Sequence, residues 1–443
     1  MRTISAPSGR WSGRQNEGAV IFHGIPYAHA ARFAPPRREP PRSGTTDATV
    51  PGPAAPQRPS RLEAVMGPAA PLPQSEDCLT VTVTVPDSGT GPAPVLVWLH
   101  GGAYLSGSGE WNLYDATRLV CETGIVVVSV SYRLGVLGYL RAPGVAPGNL
   151  GLLDQIAALE WVRDNIAAFG GDPGRVTVAG QSAGAHSVAA LLGIDRARPL
   201  FTRAILQSAP LGLGFHTYQQ AVRAARPFLA ALPGDPRTAP VADVLAAQAR
   251  AARILAGPAG LTSAPPYLPV ADTHPLPDSA RWRRDVVRHA PGLQVLIGTT
   301  ADEAAAFHRP HPFFTRLRRV PVLGQPAAAA LSRLIQRKMF DAPVRDFADL
   351  LAQAGAGVWR FRFGPLHPDS PFGACHCVEL PLLFGDSTAW REAPMLRPLT
   401  PGKAATAGTR TRGYWGEFVR TGRIDDPTWP RHRPRSDAPH PLP

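Results

Sequence analysis

The run "VTVAGQSAGAHSV", Val176–Val188, sets Ser182 between Gly180 and Gly184. β-Branched residues lead in and small residues follow, as where a strand turns sharply into a helix with the serine at the turn. Residues two positions either side of such a turn must lack bulk, or strand and helix cannot approach. The turn pushes the hydroxyl out of the sheet. It also aims the Ala183 N–H, at a helix N-terminus, toward an oxygen that is gaining negative charge. A serine hydroxyl is a weak nucleophile, so acyl transfer also needs a base, a group orienting that base, and donors for the oxyanion. "VLVWLHGGAYLSGSG", from Val95, offers such donors. An apolar strand ends in His100-Gly101-Gly102-Ala103, where small residues let backbone N–H groups reach a substrate oxygen.

Several histidines compete for the role of base. His186 lies one turn along the serine's own helix and reads as packing, because a base must approach from outside with an acid behind it. His100 reads as shaping the glycine turn. In Cys375-His376-Cys377, read as a strand, both thiols face one way and the imidazole the other. With no second ligand cluster in the sequence, no metal site is expected.

These residues need a rigid frame. "VLVWL" from Val95, "IVVVSVSY" from Ile125, "RVTVAG" from Arg175, "AILQS" from Ala204 and "VLIGTT" from Val295 read as buried strands. "VWRFRF" from Val358 alternates and reads as a later one. Leu152, Ile156, Leu159, Val162 and Ile166 recur at helical spacing, predicting a helix over Leu152–Phe169 that stops at "GGDPG". Apolar strands alternating with helices imply an α/β fold, a mostly parallel central sheet flanked by helices. Residues 35–73, rich in Pro, Ala and Arg, read as a linker or an irregular surface excursion. Residues 212–290, with "VADVLAAQARAARIL", read as a helical insertion or cap.

The chain has 443 residues, 44% of them hydrophobic, enough for a large core. Its 46 basic residues, all arginine except Lys338 and Lys403, oppose 33 acidic ones, for a formal charge of +13. With 50 Pro and 43 Gly this reads as a bias spread along the chain, whereas a nucleic-acid footprint would cluster its charge. Four cysteines are too few for a disulfide scaffold. The N-terminus lacks the apolar segment of a signal peptide, and no run approaches a membrane span. A cytoplasmic protein is expected.

The residues quoted so far, together with "FHGIPYA" (Phe22–Ala28), "RFAPP" (Arg32–Pro36), "SEDCLTVTV" (Ser75–Val83), "LQSA" (Leu206–Ala209), "GTTADEAAAF" (Gly298–Phe307) and "GACHCVELPLLFG" (Gly373–Gly385), resemble the carboxylesterase type-B family. These are α/β-hydrolases that include carboxylesterases and cholinesterases. Asn149–Ala185 is the most specific stretch. By itself Glu303 reads as a surface carboxylate after a strand; the resemblance makes it the acid, Asp302 its non-catalytic neighbour and His376 the base. Ser182, Glu303, His376 is the chain order expected of the α/β-hydrolase fold.

What the resemblance implies is one domain over 1–443 with cap elements at roughly 212–290 and 308–357. It implies a serine hydrolase cleaving small-molecule carboxylic esters through an acyl-enzyme, with Gly102, Ala103 and Ala183 as the oxyanion hole and no cofactor. The rival is a non-catalytic binding protein on the same fold, which typically loses a member of the triad; amide or thioester hydrolysis would use the same machinery. There are departures from the family. Cys78 has no upstream cysteine, so the disulfide of secreted relatives cannot form. Residues 50–75 contain no aromatic residue, so the choline-stacking tryptophan is missing. The stretch between Glu303 and His376 is short, and relatives usually continue beyond "PHPLP". An open, apolar pocket without a cation site is expected, Tyr104 being the aromatic best placed to supply one.

Overall fold

A computed structural model describes residues 1–88, 91–256, 265–385, 388–435 and 438–442. Its centre is a sheet that has 12 strands among the described residues. They are β1 (Arg2–Ala6), β2 (Gly9–Asn16), β3 (Ala19–Pro26), β4 (Thr80–Pro86), β5 (Ala93–Leu99), β6 (Val126–Val130), β7 (Gly171–Gln181), β8 (Arg203–Gln207), β9 (Gln294–Thr300), β10 (Gly357–Phe363) and β11 (His440–Leu442), with Thr45–Asp47 beside β2. The spatial order is β1-β2-β3-β4-β6-β5-β7-β8-β9-β10-β11. From β6 to β11 every pairing is parallel; β1 to β4 pair antiparallel up to β6, and Thr45–Asp47 lies parallel to β2. This is the mostly parallel, helix-flanked sheet expected from the sequence.

Strand β5 shows why the sheet is covered on both faces. Val95, Val97 and Leu99 enter one apolar core, and Leu96 and Trp98 enter another. α1 (Leu150–Asn165) and α2 (Ala183–Leu192) cover the first face. α1 ends in a 3₁₀ turn, Ile166–Phe169, and Gly170 closes it in the left-handed region at φ 81°. Of the "GGDPG" run, Gly170 caps the helix and Gly171 already begins β7.

The 212–290 stretch carries α3 (Tyr218–Ala231), started by a capping box of Thr217 and Gln220 and packed on α4 (Val241–Ala256), then α5 (Ser279–His289), capped by Asp278. Residues 257–264 of this span lie outside the described residues. The 308–357 stretch carries α6 (Pro312–Arg318), α7 (Gly324–Gln336) and α8 (Ala342–Gln353), the last two joined by a π-helical stretch, Arg337–Asp341. α9 (Pro401–Thr421) lays Trp415 and Phe418 into the second core. Residues 35–73 form an ordered excursion, with a short helix at Glu63–Met66 and a bridge from Ala54 to Gln74. No described helix is long and apolar enough to cross a membrane.

Parallel pairing in register brings the C-terminal ends of β5, β7, β8 and β9 side by side. Gly180 lies opposite both Leu99 and Leu206, and Gln207 lies opposite Gly298. Open parallel sheets present their ligand crevice at this edge.

Candidate active site

Ser182 follows β7 directly and adopts φ 55°, ψ −120°, a region non-glycine residues rarely occupy. The strained turn is clamped from both ends. The Ser182 N–H donates to the Gln207 carbonyl at 2.9 Å, and its carbonyl accepts from the His186 N–H at 2.9 Å. A Cβ on Gly184 would collide with the Leu99 carbonyl, and one on Gly180 with the Gly184 backbone. The two glycines that bracket the serine are therefore what let β7, α2 and β5 meet. Among the described residues no group hydrogen-bonds the Ser182 hydroxyl, which lines an open cavity.

After β5 the chain turns through Gly102, at φ 110°, into Ala103 and Tyr104, at φ 58° and 59°. A Cβ on Gly102 would strike the Ser106 carbonyl. Among the described residues no acceptor faces the Gly102 and Ala103 N–H groups. The Ala183 N–H, first in α2, has no acceptor within its own helix. All three residues line the cavity beside Ser182. His100 supports the turn from behind. Its Nδ1 lies 2.7 Å from the Gly101 carbonyl, its ring stacks on Tyr132 at 4.3 Å, and burial pushes its pKa down to about 4. His186 is likewise packed and neutral, held down to about 4 by burial, with Nδ1 2.9 Å from the Tyr104 hydroxyl. That contact and the Tyr139 ring, 4.6 Å away, hold Tyr104 in the wall.

The loop after β9 carries Glu303 and the loop after β10 carries His376, both fully buried. Glu303 Oε2 lies 2.5 Å from His376 Nδ1, and its Oε1 accepts the Thr300 N–H at 2.8 Å. A carboxylate facing Nδ1 keeps the proton there and leaves Nε2 as the acceptor. Among the described residues the hydrogen-bond partner of Nε2 is the Gln181 amide, at 3.2 Å, which also reaches Cys377 Sγ at 3.3 Å. Phe307 and Phe340 pack on the imidazole at 5.2 and 5.4 Å and exclude water. Asp302 points elsewhere. Its carboxylate accepts the Ala374 N–H at 2.9 Å and its own N–H donates to the Ala374 carbonyl at 2.8 Å, tying the two loops together. Cys375-His376-Cys377 is not the strand read from the sequence. It is one bridge residue followed by a turn with Cys377 at φ 77°, because Asp302 pairs with Cys375 alone. Among the described residues no group of three His, Cys, Asp or Glu side chains is placed to hold a metal.

Behind the pair lies a second carboxyl that sequence reasoning passed over. Glu379 is buried, and desolvation, then the nearby Glu303 charge, push its pKa up to about 7. Its Oε1 receives a long 3.5 Å contact from Gln207, and its Oε2 has no partner. Its spacing three residues after His376 was the available signal.

The cavity above Ser182 opens to solvent at its mouth and has a mostly apolar wall. Phe307, Ile335, Met339 and Phe340 come from the acid loop, α7 and the π-helical stretch, and Leu213, Ala249 and Ala252 from the other insertion. Aromatic faces are thus present, supplied by segments other than residues 50–75. Arg58 and Arg61, from the excursion before β4, also line it. Nothing local in the sequence marks those two among so many arginines.

The carboxylesterase family model matches residues 1–312. A probable N-octanoylanthranilate hydrolase of Rhodococcus erythropolis is 62% identical over 443 residues, covering 100% of this chain and 98% of that protein. The para-nitrobenzyl esterase of Bacillus subtilis (strain 168) is 33% identical over 97% of this chain and 92% of its own length. The solved structure of a thermophilic PNB esterase superposes with a TM-score of 0.84 at 32% identity, covering 98% of this chain and 94% of that one.

Proposed function

The chain belongs to the carboxylesterase family and is a carboxylic ester hydrolase, and from that premise we propose that it works through a Ser182–His376–Glu303 triad and an acyl-enzyme. The observation that carries this reading is the placement of Ser182 on the cavity floor beside three backbone N–H groups, with a buried carboxylate on the far nitrogen of His376. Ser182 Oγ attacks the acyl carbonyl while His376 Nε2 takes its proton. The Gln181 amide must yield Nε2 for this transfer. Glu303 holds the imidazole in the required tautomer and stabilises its charged form. The N–H groups of Gly102, Ala103 and Ala183 bind the oxyanion. His376 then protonates the leaving oxygen, and water repeats the sequence on the acyl-enzyme.

The whole chain forms one α/β-hydrolase unit in this reading. The helices of 212–290 and 308–357 act as its cap and supply the apolar wall. The four cysteines are free thiols, which fits a reducing, cytoplasmic compartment. A fluorophosphonate should label the peptide containing Ser182 and abolish ester hydrolysis, and Ser182→Ala should neither label nor turn over. Labelling elsewhere, or an active alanine variant, defeats the assignment.

A second reading concerns the bond cleaved. Full-length similarity to the N-octanoylanthranilate hydrolase, with a cavity roomy and apolar enough for a medium acyl chain, favours N-acylated aromatic acids as substrates alongside esters. The same serine chemistry cleaves an amide when the base protonates the departing nitrogen. Release of anthranilate from N-octanoylanthranilate tests it directly.

A further inference from the structure

Arg58 and Arg61 are the charged side chains that line the cavity, and among the described residues no aspartate or glutamate faces it. The loop bearing them is fastened at both ends. The Gln57 side chain accepts the Gly107 N–H at 2.7 Å and donates to the Gly107 carbonyl at 2.9 Å, joining the loop to the turn that carries Gly102 and Ala103. On the other side Leu62, Val65 and Met66 are sunk in the second core. Ser60 Oγ braces the bend by accepting the Leu62 N–H at 3.2 Å. The loop that carries both arginines is thus tied to the turn that carries the backbone donors. Arg61 meets solvent through the mouth, yet the surrounding protein removes enough of its water to lower its pKa.

Cations at an otherwise apolar wall disfavour cationic ligands and attract an anion, to which a guanidinium can donate two hydrogen bonds. We propose that Arg58 and Arg61 form a carboxylate-binding subsite that selects acylated aromatic acids, such as N-acylanthranilates or O-acylsalicylates, over neutral acyl arenes. This rests on the reading that the enzyme takes acylated aromatic acids. In such a substrate the fatty acyl half is uncharged, so the carboxylate rides on the leaving group. The Arg58–Arg61 loop is therefore the leaving-group wall, and the apolar surface of Ile335, Met339 and Phe340 is left for the acyl chain. The carboxylate is present before and during the acyl transfer, so the contact acts mainly through KM.

The test uses two substrate pairs differing only in the carboxylate: O-octanoylsalicylate against phenyl octanoate, and N-octanoylanthranilate against N-octanoylaniline. The readout is the kcat/KM ratio within each pair, measured on one preparation, so loss of folded protein cancels. Intrinsic reactivity cancels when the wild-type ratio is divided by the variant's. In the Arg58→Gln/Arg61→Gln double variant the ratio should fall about 10- to 100-fold, chiefly through KM for the carboxylate member. Arg61→Lys should recover part of it. An unchanged ratio in the double variant overturns the subsite. If wild type cleaves the ester pair with this selectivity but neither anilide, the subsite stands and the amide reading falls. If it cleaves both anilides equally well, the subsite falls and the amide reading stands.

Discussion

Glu303 and Asp302 are sequence neighbours with different partners. Glu303 meets His376 Nδ1, whereas Asp302 meets the Ala374 backbone. Glu303→Gln removes the charge that favours the imidazolium and should lower kcat by about two to four orders of magnitude. Asp302→Asn keeps an oxygen for the Ala374 N–H and should change kcat far less. The reverse ranking in steady-state kinetics would show the acid to be Asp302. Glu379 gives a pH signature. Below its ordinary carboxyl value of 4.5 it is protonated both folded and unfolded. Between there and about 7 the unfolded chain ionises while the buried group stays neutral, so the folded state binds more protons and stability falls as pH rises. Above about 7 the penalty is constant. The melting temperature of Glu379→Gln, relative to wild type, should therefore climb from pH 4.5 to pH 7 and then level off. A flat difference across that range contradicts the burial argument.

At the scale of elements, the site depends on close approach of backbones. α2 can start beneath Ser182 only because Gly184 lets it touch the end of β5. In Gly184→Ala a methyl group meets the Leu99 carbonyl, so either the turn opens or β5 shifts. The expected cost is about 1 to 3 kcal/mol in denaturant unfolding, with a still larger proportional loss of kcat because Ser182 and the Ala183 N–H move together. Gly413, in α9, has open space within 4 Å of the point an alanine methyl would occupy, and Gly413→Ala should be neutral or slightly stabilising. If both alanine variants unfold alike, steric contact is not what reserves position 184 for glycine.

At the scale of the molecule, the surplus of basic charge and the arginines at the cavity should bias the choice of substrate. The sequence alone suggested an open, apolar pocket without a cation site, and the structure adds Arg58 and Arg61 to its lining. Medium-chain neutral esters should still exceed choline esters of the same acyl chain in kcat/KM, since a quaternary ammonium meets two guanidinium groups as well as Phe307 and Phe340. Esters bearing a carboxylate should lose kcat/KM as salt rises from about 0.01 to about 0.5 M, while neutral esters stay nearly level. Equal salt dependence for the two would count against any electrostatic role for the basic surplus.

The parallel strands β5 to β10 and α1 were legible in the sequence because their signals are local: apolar runs for the strands, and a helical stripe for α1. The elbow was legible for the same reason, since the glycines that permit it lie within two residues of Ser182. β1, β2 and β11 were not, because "RTISA", "GRWSGRQN" and "HPL" are polar or short and become strands only by pairing with a neighbour already in place. The roles proposed for Glu303 and His376 came through family resemblance, as nothing nearby in sequence distinguishes them from other carboxylates and imidazoles. Only the tertiary structure brought Glu303 within 2.5 Å of His376, buried Glu379 behind them, and carried Arg58 and Arg61 to the cavity wall. The physical reason is common to all three. Burial and charge pairing depend on which chain segments the sheet order makes adjacent, and that adjacency joins residues more than 70 positions apart.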